Sequence, residues 1–109
     1  MHNNETDVTI EWAPFEVAAD VTDEQLENAA AELELNFLQQ QDGYIRRELL
    51  KGKGKQWVDL VYWSSLEAAQ KAAEAANTSN AFHDYFSLMI GLEDAEDGIS
   101  HYRQVKTWQ

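Results

Sequence analysis

The sequence predicts an α+β domain of the ferredoxin-like type, with the element order β-α-β-β-α-β and a four-stranded antiparallel sheet. Three observations support this prediction: alternating apolar residues near both ends of the chain, two helical stripes that follow capping motifs, and a hairpin between the helices. The chain has 109 residues, of which 44% are apolar, and is long enough for one packed core. We therefore interpret residues 1–109 as a single domain in which residues 1–7 are a flexible tail.

The first half of the chain contains one strand and one helix. Apolar residues alternate between residues 8 and 17, as in a strand, and the alternation shifts by one residue at Pro14. Proline has no amide hydrogen to donate, so we expect a bulge or an edge position there. Residues 22–25 have the pattern of a capping box, and the apolar stripe that follows predicts a helix ending at Gly43.

The hairpin in the middle of the chain predicts how the domain assembles. Residues 44–51 and 56–63 resemble strands and are separated by a short glycine-rich turn. The second strand is apolar on both sides, with Trp57, Asp59, Val61 and Trp63 on one face and Val58, Leu60 and Tyr62 on the other. Two helices can cover only one face of the sheet, and a bare apolar face usually has a partner. We therefore predict a homodimer in which two sheets pack face to face.

The second half of the chain predicts a helix in two parts and a final strand. A second capping box at residues 64–67 begins an alanine-rich helix. Polar residues 77–80 interrupt it, and Ser79 is a suitable cap for the helical stripe that follows. Alternation over residues 99–108 then predicts the last strand.

The charge balance excludes several classes of partner. The chain carries 20 acidic and 8 basic side chains, a net charge of −12, which disfavours nucleic acid and anionic membranes because phosphate would repel it. No apolar run approaches the ~18 residues of a spanning helix and no signal-peptide core is present, so we expect a cytoplasmic protein. Basic residues cluster between residues 46 and 55, either as an association surface with complementary charge or as a solvated hairpin tip.

The composition also argues against metals and cofactors. Cysteine is absent, which excludes thiolate ligands and nucleophiles. His2, His83 and His101 lack the spacing of a metal site, and the acidic residues 93–97 lack the ligand spacing of a calcium loop. We expect neither a metal nor a cofactor.

Residues 61–86 resemble the signature of the antibiotic-biosynthesis-monooxygenase family. The similar residues are 61–69, with the sequence VYWSSLEAA, then Ala72 and residues 79–82, with the sequence SNAF. The family belongs to the dimeric α+β barrels, so the resemblance implies that fold, a homodimer and a pocket between helices and sheet in each subunit. Its members include cofactor-independent oxygenases that act on polyphenolic substrates and enzymes that degrade haem.

The same resemblance disfavours haem degradation. The haem degraders of the family have a histidine on the second helix at the position that Phe86 occupies here, and His83 lies three residues earlier. They also have an asparagine on the first strand, where this chain has Glu11, Trp12 and Ala13. A cofactor-free oxygenase remains, in which the substrate anion itself reduces dioxygen and the protein positions it.

Strand parity and the resemblance together predict the site residues. The predicted catalytic residues are Asp59, His83 and Tyr85, and the predicted pocket residues are Trp12, Trp63, Phe82 and Phe86. Asp59 is a carboxylate among large apolar groups, which would raise its pKa and make it a base if it were unpaired. The alternative is an ion pair with Arg46, Arg47 or Arg103 across a strand. His83 is either a proton shuttle or a surface or capping residue.

Two functions from different classes follow from these predictions. The first is a cofactor-independent oxygenase that acts on a small aromatic or polycyclic substrate in the helix–sheet pocket. The second is a non-catalytic homodimeric module that binds a small apolar or aromatic molecule, or only its own copy, and this includes a stress-related module of that kind. Four tryptophans in 109 residues fit either one.

Overall fold

The helices and strands follow the predicted order in a computed structural model that describes residues 8–91 and 98–109. The elements are β1 (Thr9–Val17), α1 (Asp23–Asn36), a short 3-10 helix (Leu38–Gln40), β2 (Tyr44–Lys51), β3 (Gln56–Trp63), α2 (Leu66–Ala76), α3 (Asn80–Phe86), β4 (Met89–Ile90) and β5 (Ser100–Arg103). None of the helices in these two ranges is long and apolar enough to cross a membrane. The predicted tail at residues 1–7 and the acidic residues 93–97 lie outside the described residues.

The strands form one antiparallel sheet in which β1 and β3 are central. Strand β3 pairs with β1 along Thr9–Glu16 and with β2 on its other edge. The free edge of β1 is shared by two short strands: β5 pairs with its beginning and β4 with its end. The predicted ferredoxin-like α+β fold is confirmed. The sheet has five strands instead of four, because β4 and β5 share the edge of β1.

The last strand is shorter than predicted because β1 offers no further partner. Arg103 pairs with Thr9, the first residue of β1, and the amide of Gln104 donates one more hydrogen bond to the carbonyl oxygen of Val8. Beyond this point Val105 and Trp108 are exposed. The alternation over residues 99–108 therefore gives a strand only up to Arg103.

Pro14 lies in a regular part of the sheet, without the predicted bulge. The pairing of β1 with β3 has no shift at Pro14, which stands opposite Val58. On the other edge of β1, β5 pairs with residues 9–12 and β4 with residues 16–17. Pro14 lies between these two pairings, and no described residue pairs with it on this edge. Its missing amide hydrogen therefore costs no ladder hydrogen bond with the described strands, which agrees with the edge position given above as the alternative to a bulge.

Capping residues define the helix ends. The predicted box at Thr22 is confirmed: its Oγ1 accepts from the amide of Gln25 at 3.1 Å, and Gln25 Oε1 accepts from the amide of Thr22 at 2.8 Å. Helix α1 ends at Asn36 rather than at Gly43, because the 3-10 helix intervenes. Gly43 has φ +86° and faces Ala68, where an added Cβ would lie 2.5 Å away.

The caps of the second helical region differ slightly from the prediction. Helix α2 is capped by Ser65, whose Oγ accepts from the amide of Ala68 at 3.0 Å, so the cap lies one residue after the predicted Ser64. Ser79 caps α3 as predicted, accepting from the amide of Phe82 at 3.1 Å.

The core lies between the helices and one face of the sheet, here called the inner face. Its buried residues include Leu26, Ala30 and Leu33 of α1, Ala69, Ala72 and Ala76 of α2, and Trp57, Val61 and Trp63 of β3. The outer face carries Ile10 and Trp12 of β1, Leu50 of β2, Val58, Leu60 and Tyr62 of β3, and Tyr102 of β5. No described element covers the outer face.

Candidate functional site

A cavity of about 210 Å³ lies between the inner face and helices α2 and α3. Its aromatic lining consists of Phe15, Phe37, Trp63, Phe82, Tyr85 and Phe86. Phe86, Ile99 and Asn77 also line it and are exposed, so the cavity opens to solvent at their side. A wider groove of about 890 Å³ runs along the outside of α1 and α3 and is lined by side chains such as Asn28 and Asn80.

The cavity exists because α2 presents small side chains to the sheet. Ala69, Ala72 and Ala76 point inward at helical spacing, and Ala73 also lines the space. An alanine side chain extends by a single carbon, so α2 cannot fill the space that the large rings of the sheet and α3 hold open. The alanine-rich sequence of α2 is therefore the local cause of the cavity.

A hydrogen-bonded cluster of three side chains forms the polar wall of the cavity. Arg47 Nε donates to Asp59 Oδ1 at 2.7 Å, and the Tyr85 hydroxyl donates to Asp59 Oδ2 at 2.6 Å. All three line the cavity, and Asp59 is buried. The ion pair with Arg47 is the alternative stated above for Asp59, so this residue is not an unpaired base.

Tyr85 keeps its proton at neutral pH. Burial raises the pKa of its hydroxyl far above the ordinary value of 10, and the neighbouring Asp59 carboxylate raises it further. Tyr85 can therefore donate a hydrogen bond but does not act as a base. Its ring packs edge-to-face against Phe15, with 5.8 Å between the ring centroids.

Arg47 connects the cavity to α1. Its Nη1 donates to the carbonyl oxygen of Ala30 at 2.8 Å and lies 3.8 Å from Glu34, which accepts from the Tyr44 hydroxyl at 2.7 Å. Burial lowers the pKa of Arg47 while the Asp59 carboxylate raises it, and the net shift is upward, so Arg47 stays charged. Its Nη2 is buried and has no hydrogen-bond partner within residues 8–91 and 98–109.

Glu11 is a cavity residue that the sequence predictions missed. Trp63 Nε1 donates to Glu11 Oε1 at 3.1 Å, and His101 Nε2 lies 4.0 Å from the same oxygen. Burial raises the pKa of Glu11, although Trp63 and His101 oppose the shift. Because alternation places Ile10 and Trp12 on the outer face, Glu11 is on the inner one, and this parity was the signal that could have identified it.

Of the predicted pocket residues, Trp63, Phe82 and Phe86 line the cavity and Trp12 does not. Trp63 is buried and lines the cavity, and Phe82 and Phe86 stack on one another with 5.6 Å between their centroids. Trp12 does not line the cavity: it lies on the outer face and is 40% exposed, because the register pairs it with Leu60. This corrects its assignment to the pocket.

His83 also lies away from the cavity. It is exposed on α3 and is not among the lining residues, because the cavity side of this helix is formed by Phe82, Tyr85 and Phe86. Its role as a proton shuttle in the cavity is corrected accordingly. Within the described part of the chain, no group of three histidine, aspartate or glutamate side chains is arranged to hold a metal ion.

Comparison with known proteins supports the fold over nearly the whole chain. No protein-family model and no curated protein sequence matches this chain. Among solved structures, it is similar to SnoaB, a cofactor-independent oxygenase from Streptomyces nogalater, with 17% identity, a TM-score of 0.68, and coverage of 93% of this chain and 96% of that one.

Two further solved structures are similar in fold to this chain. A Caulobacter crescentus protein provisionally named an antibiotic biosynthesis monooxygenase has 14% identity and a TM-score of 0.67, with 94% of each chain covered. The chain has the antibiotic biosynthesis monooxygenase fold. A conserved protein from Methanosarcina mazei shares this fold with 16% identity and a TM-score of 0.66, over 94% of this chain and 97% of that one. At these identities the likeness concerns the backbone, so function has to be argued from the site.

Proposed function

We propose that the protein is a cofactor-independent oxygenase that acts on a small aromatic substrate in the helix–sheet cavity. The observation that supports this most directly is the cavity itself. Aromatic rings surround it, and a few polar groups converge on it: Glu11, Arg47 and Asp59 on neighbouring strands of the sheet and Tyr85 on α3. An apolar cavity with convergent polar groups is the usual form of a small-molecule site. The likeness to SnoaB adds support at the level of fold.

The size of the cavity limits the substrate. A cavity of ~150 Å³ binds benzene, whereas drug-sized ligands occupy about 300–1,000 Å³. At about 210 Å³, this one suits a molecule with one or two rings and is too small for a larger polycyclic compound. We therefore narrow the predicted substrate to a one- or two-ring phenol or a related compound that can form an anion.

The chemistry requires dioxygen and no cofactor. A substrate such as 1-naphthol loses its hydroxyl proton, and the electron-rich ring carbon opposite the oxygen reduces dioxygen. One oxygen atom becomes the new carbonyl and the other leaves as water, so that 1-naphthol and O₂ give 1,4-naphthoquinone and H₂O. Arg47 supplies a positive charge at the cavity wall, which favours a substrate anion there, and Trp63 forms a wall against the ring.

A non-catalytic binding module is the second candidate, and one observation favours it. Both oxygens of Asp59 accept hydrogen bonds and Tyr85 remains protonated. In this arrangement Tyr85 does not act as a base, and Asp59 is held in an ion pair with Arg47. A protein that binds an aromatic molecule without converting it would need no more than the polar wall and the rings.

The cavity is tested by filling it. We expect 1-naphthol to bind, and Ala72→Leu to weaken this binding by at least about tenfold, because the added carbons occupy space that the ligand needs. The matched control is Ala19→Leu, an exposed position that lines neither the cavity nor the groove, which should leave binding unchanged. Tryptophan fluorescence reports binding, and thermal unfolding verifies that both variants fold. Equal affinity in the two variants would refute the proposed site.

Oxygen consumption then separates the two candidate functions. Incubation of the protein with 1-naphthol and a metal chelator should consume one O₂ per naphthoquinone formed, and Trp63→Phe should reduce the rate. Binding without oxygen consumption would favour the non-catalytic module.

We also propose that two chains pack through their outer faces. This face carries Ile10, Trp12, Leu60, Tyr62 and Tyr102, and no described element of the chain covers it. Exposed apolar groups of this size usually mark an interface. The family resemblance in residues 61–86 implies the same side-by-side assembly.

Light scattering tests the dimer directly. We expect a two-chain mass at micromolar concentration and a one-chain mass for Leu60→Lys, because a lysine at the centre of the face would bury an unpaired charge. Leu66→Lys is the matched control, since Leu66 is 46% exposed at the start of α2. A one-chain mass for the unmodified protein would contradict the proposed dimer.

A further inference from the structure

We propose that Glu11 is the proton acceptor of the cavity and that His101 exchanges this proton with solvent. The inference rests on the proposed function, because it assigns the step that forms the substrate anion. It replaces the predicted base, Asp59, by a residue on the neighbouring strand β1, which projects from the same inner face of the sheet. The two carboxylates differ in their partners, and that difference is the basis of the assignment.

Asp59 forms an ion pair with a buried arginine and accepts a hydrogen bond on each oxygen, whereas Glu11 has neither arrangement. Asp59 has an ion pair with Arg47 and a hydrogen bond from Tyr85, one on each oxygen. The recorded bond to Glu11 comes from Trp63 Nε1, a neutral donor, and falls on Oε1. No lysine or arginine of the described residues forms an ion pair with Glu11. Glu11 is thus the carboxylate that can accept a proton without breaking an ion pair with an arginine or lysine.

The surrounding charges act on Glu11 from three strands. His101 on β5 lies nearest, Asp59 is on β3, and Arg47 is on β2. Burial is the largest effect and raises the pKa of Glu11; Asp59 adds to it, while Trp63, His101 and Arg47 oppose it. A carboxyl group with a raised pKa is a stronger base than an ordinary one, which suits proton removal from a phenol.

His101 lies beside the Glu11 carboxylate and is partly exposed to solvent. Glu11 and His101 are direct partners across the β1–β5 pairing, so both side chains project to the inner face. The Nε2 atom of His101 is 4.0 Å from Glu11 Oε1, and its side chain is one-third exposed (33%). Glu11 lines the cavity and His101 does not. An imidazole in this position can take a proton from one side and release it on the other.

The proposed step balances as a proton transfer. The substrate O–H bond breaks, its electron pair stays on the substrate oxygen, and a new O–H bond forms on the Glu11 carboxylate. A neutral His101 then accepts the proton from Glu11 at Nε2, once the 4.0 Å between Nε2 and Oε1 closes to hydrogen-bond distance, and passes a proton to water, which leaves Glu11 charged and His101 neutral again. The substrate anion is left to reduce dioxygen as described above.

The indole N–H of Trp63 allows Glu11 to be titrated without any substrate. In a nitrogen-15 spectrum of the full chain, assigned with Trp63→Phe, we expect the Trp63 indole resonance to move with pH around a midpoint above the ordinary glutamate pKa of 4.5. Glu11→Gln should abolish this inflection. His101→Gln should move it to higher pH because a positive charge is lost, and His83→Gln should leave it unchanged. An inflection that persists in Glu11→Gln would overturn the assignment.

Glu11→Gln should not lower stability at neutral pH. A carboxyl whose pKa is raised on folding favours the folded state at low pH, and this contribution is lost as pH rises from 4.5 through the raised pKa. Glutamine stays neutral and still accepts from Trp63 through its amide oxygen. Any loss of activity in this variant can therefore be separated from unfolding.

Turnover of 1-naphthol completes the test. We expect Glu11→Gln to bind 1-naphthol but to lower the rate of oxygen consumption by about 100-fold or more, the usual size of a general-base effect. His101→Gln should slow the reaction less and be rescued by added imidazole, which a purely structural role would not allow. Full activity in Glu11→Gln would overturn this inference and leave the proposed function intact. Absence of 1-naphthol binding or of oxygen consumption in the unmodified protein would overturn both.

Discussion

Replacing Arg47 by methionine is expected to lower the free energy of unfolding by about 3–5 kcal/mol, the usual cost of removing one partner of a buried ion pair. The Arg47 side chain is 6% exposed and that of Asp59 is 10% exposed, so solvent cannot replace the lost partner. The change also removes the hydrogen bond to the Ala30 carbonyl, which links β2 to α1. Urea denaturation followed by fluorescence measures the effect.

A second substitution shows whether the buried charge is the cause. Asp59→Asn in the Arg47→Met background removes the uncompensated carboxylate, so the double variant should recover a large part of the lost stability. Arg47→Lys should be intermediate, because an ammonium group cannot reproduce the paired geometry toward Asp59 and Ala30. If Arg47→Met lowers the free energy of unfolding by less than about 1 kcal/mol, the pair behaves like an exposed salt bridge. This result would contradict the burial of the Arg47–Asp59 pair.

Replacing Trp57 by glutamate is expected to unfold most of the protein. Trp57 is 4% exposed on the inner face of β3, and a buried unpaired charge costs several kcal/mol, on the order of the whole stability of a small domain. Lys51 lies over the Trp57 ring at 4.8 Å and could pair with the new carboxylate. Trp57→Ala introduces no charge that Lys51 could pair with. It should lower the free energy of unfolding by about 3–5 kcal/mol, because it leaves a cavity in the core.

The matched control for this prediction is Trp108→Glu. Trp108 is 79% exposed after the end of β5, so the same change there should alter stability by no more than about 0.5 kcal/mol. Circular dichroism and urea denaturation compare the two variants. Similar stability for Trp57→Glu and Trp108→Glu would contradict the burial of Trp57.

Several elements of the fold could be predicted because their causes are local. A capping box depends on a few consecutive residues, so the start of α1 at Thr22 and the break at Ser79 are visible in the sequence. The hairpin between β2 and β3 follows from its glycine-rich turn. The parity of β3 follows from its alternation, which correctly places Trp57, Asp59, Val61 and Trp63 on one face.

The site depended on pairings that no local pattern contains. The register between β2 and β3, including the shift between Tyr44 and Arg46, decides that Arg47 is the partner of Asp59. Successive side chains of a strand point to opposite faces of the sheet. The face assigned to β1 therefore decides whether Trp12 or Glu11 faces the cavity. The sequence by itself determined the order of the main helices and strands and that the cavity side of β3 carries large apolar side chains around Asp59. The tertiary structure alone decided which charges meet there, because contacts between distant residues depend on register and helix docking.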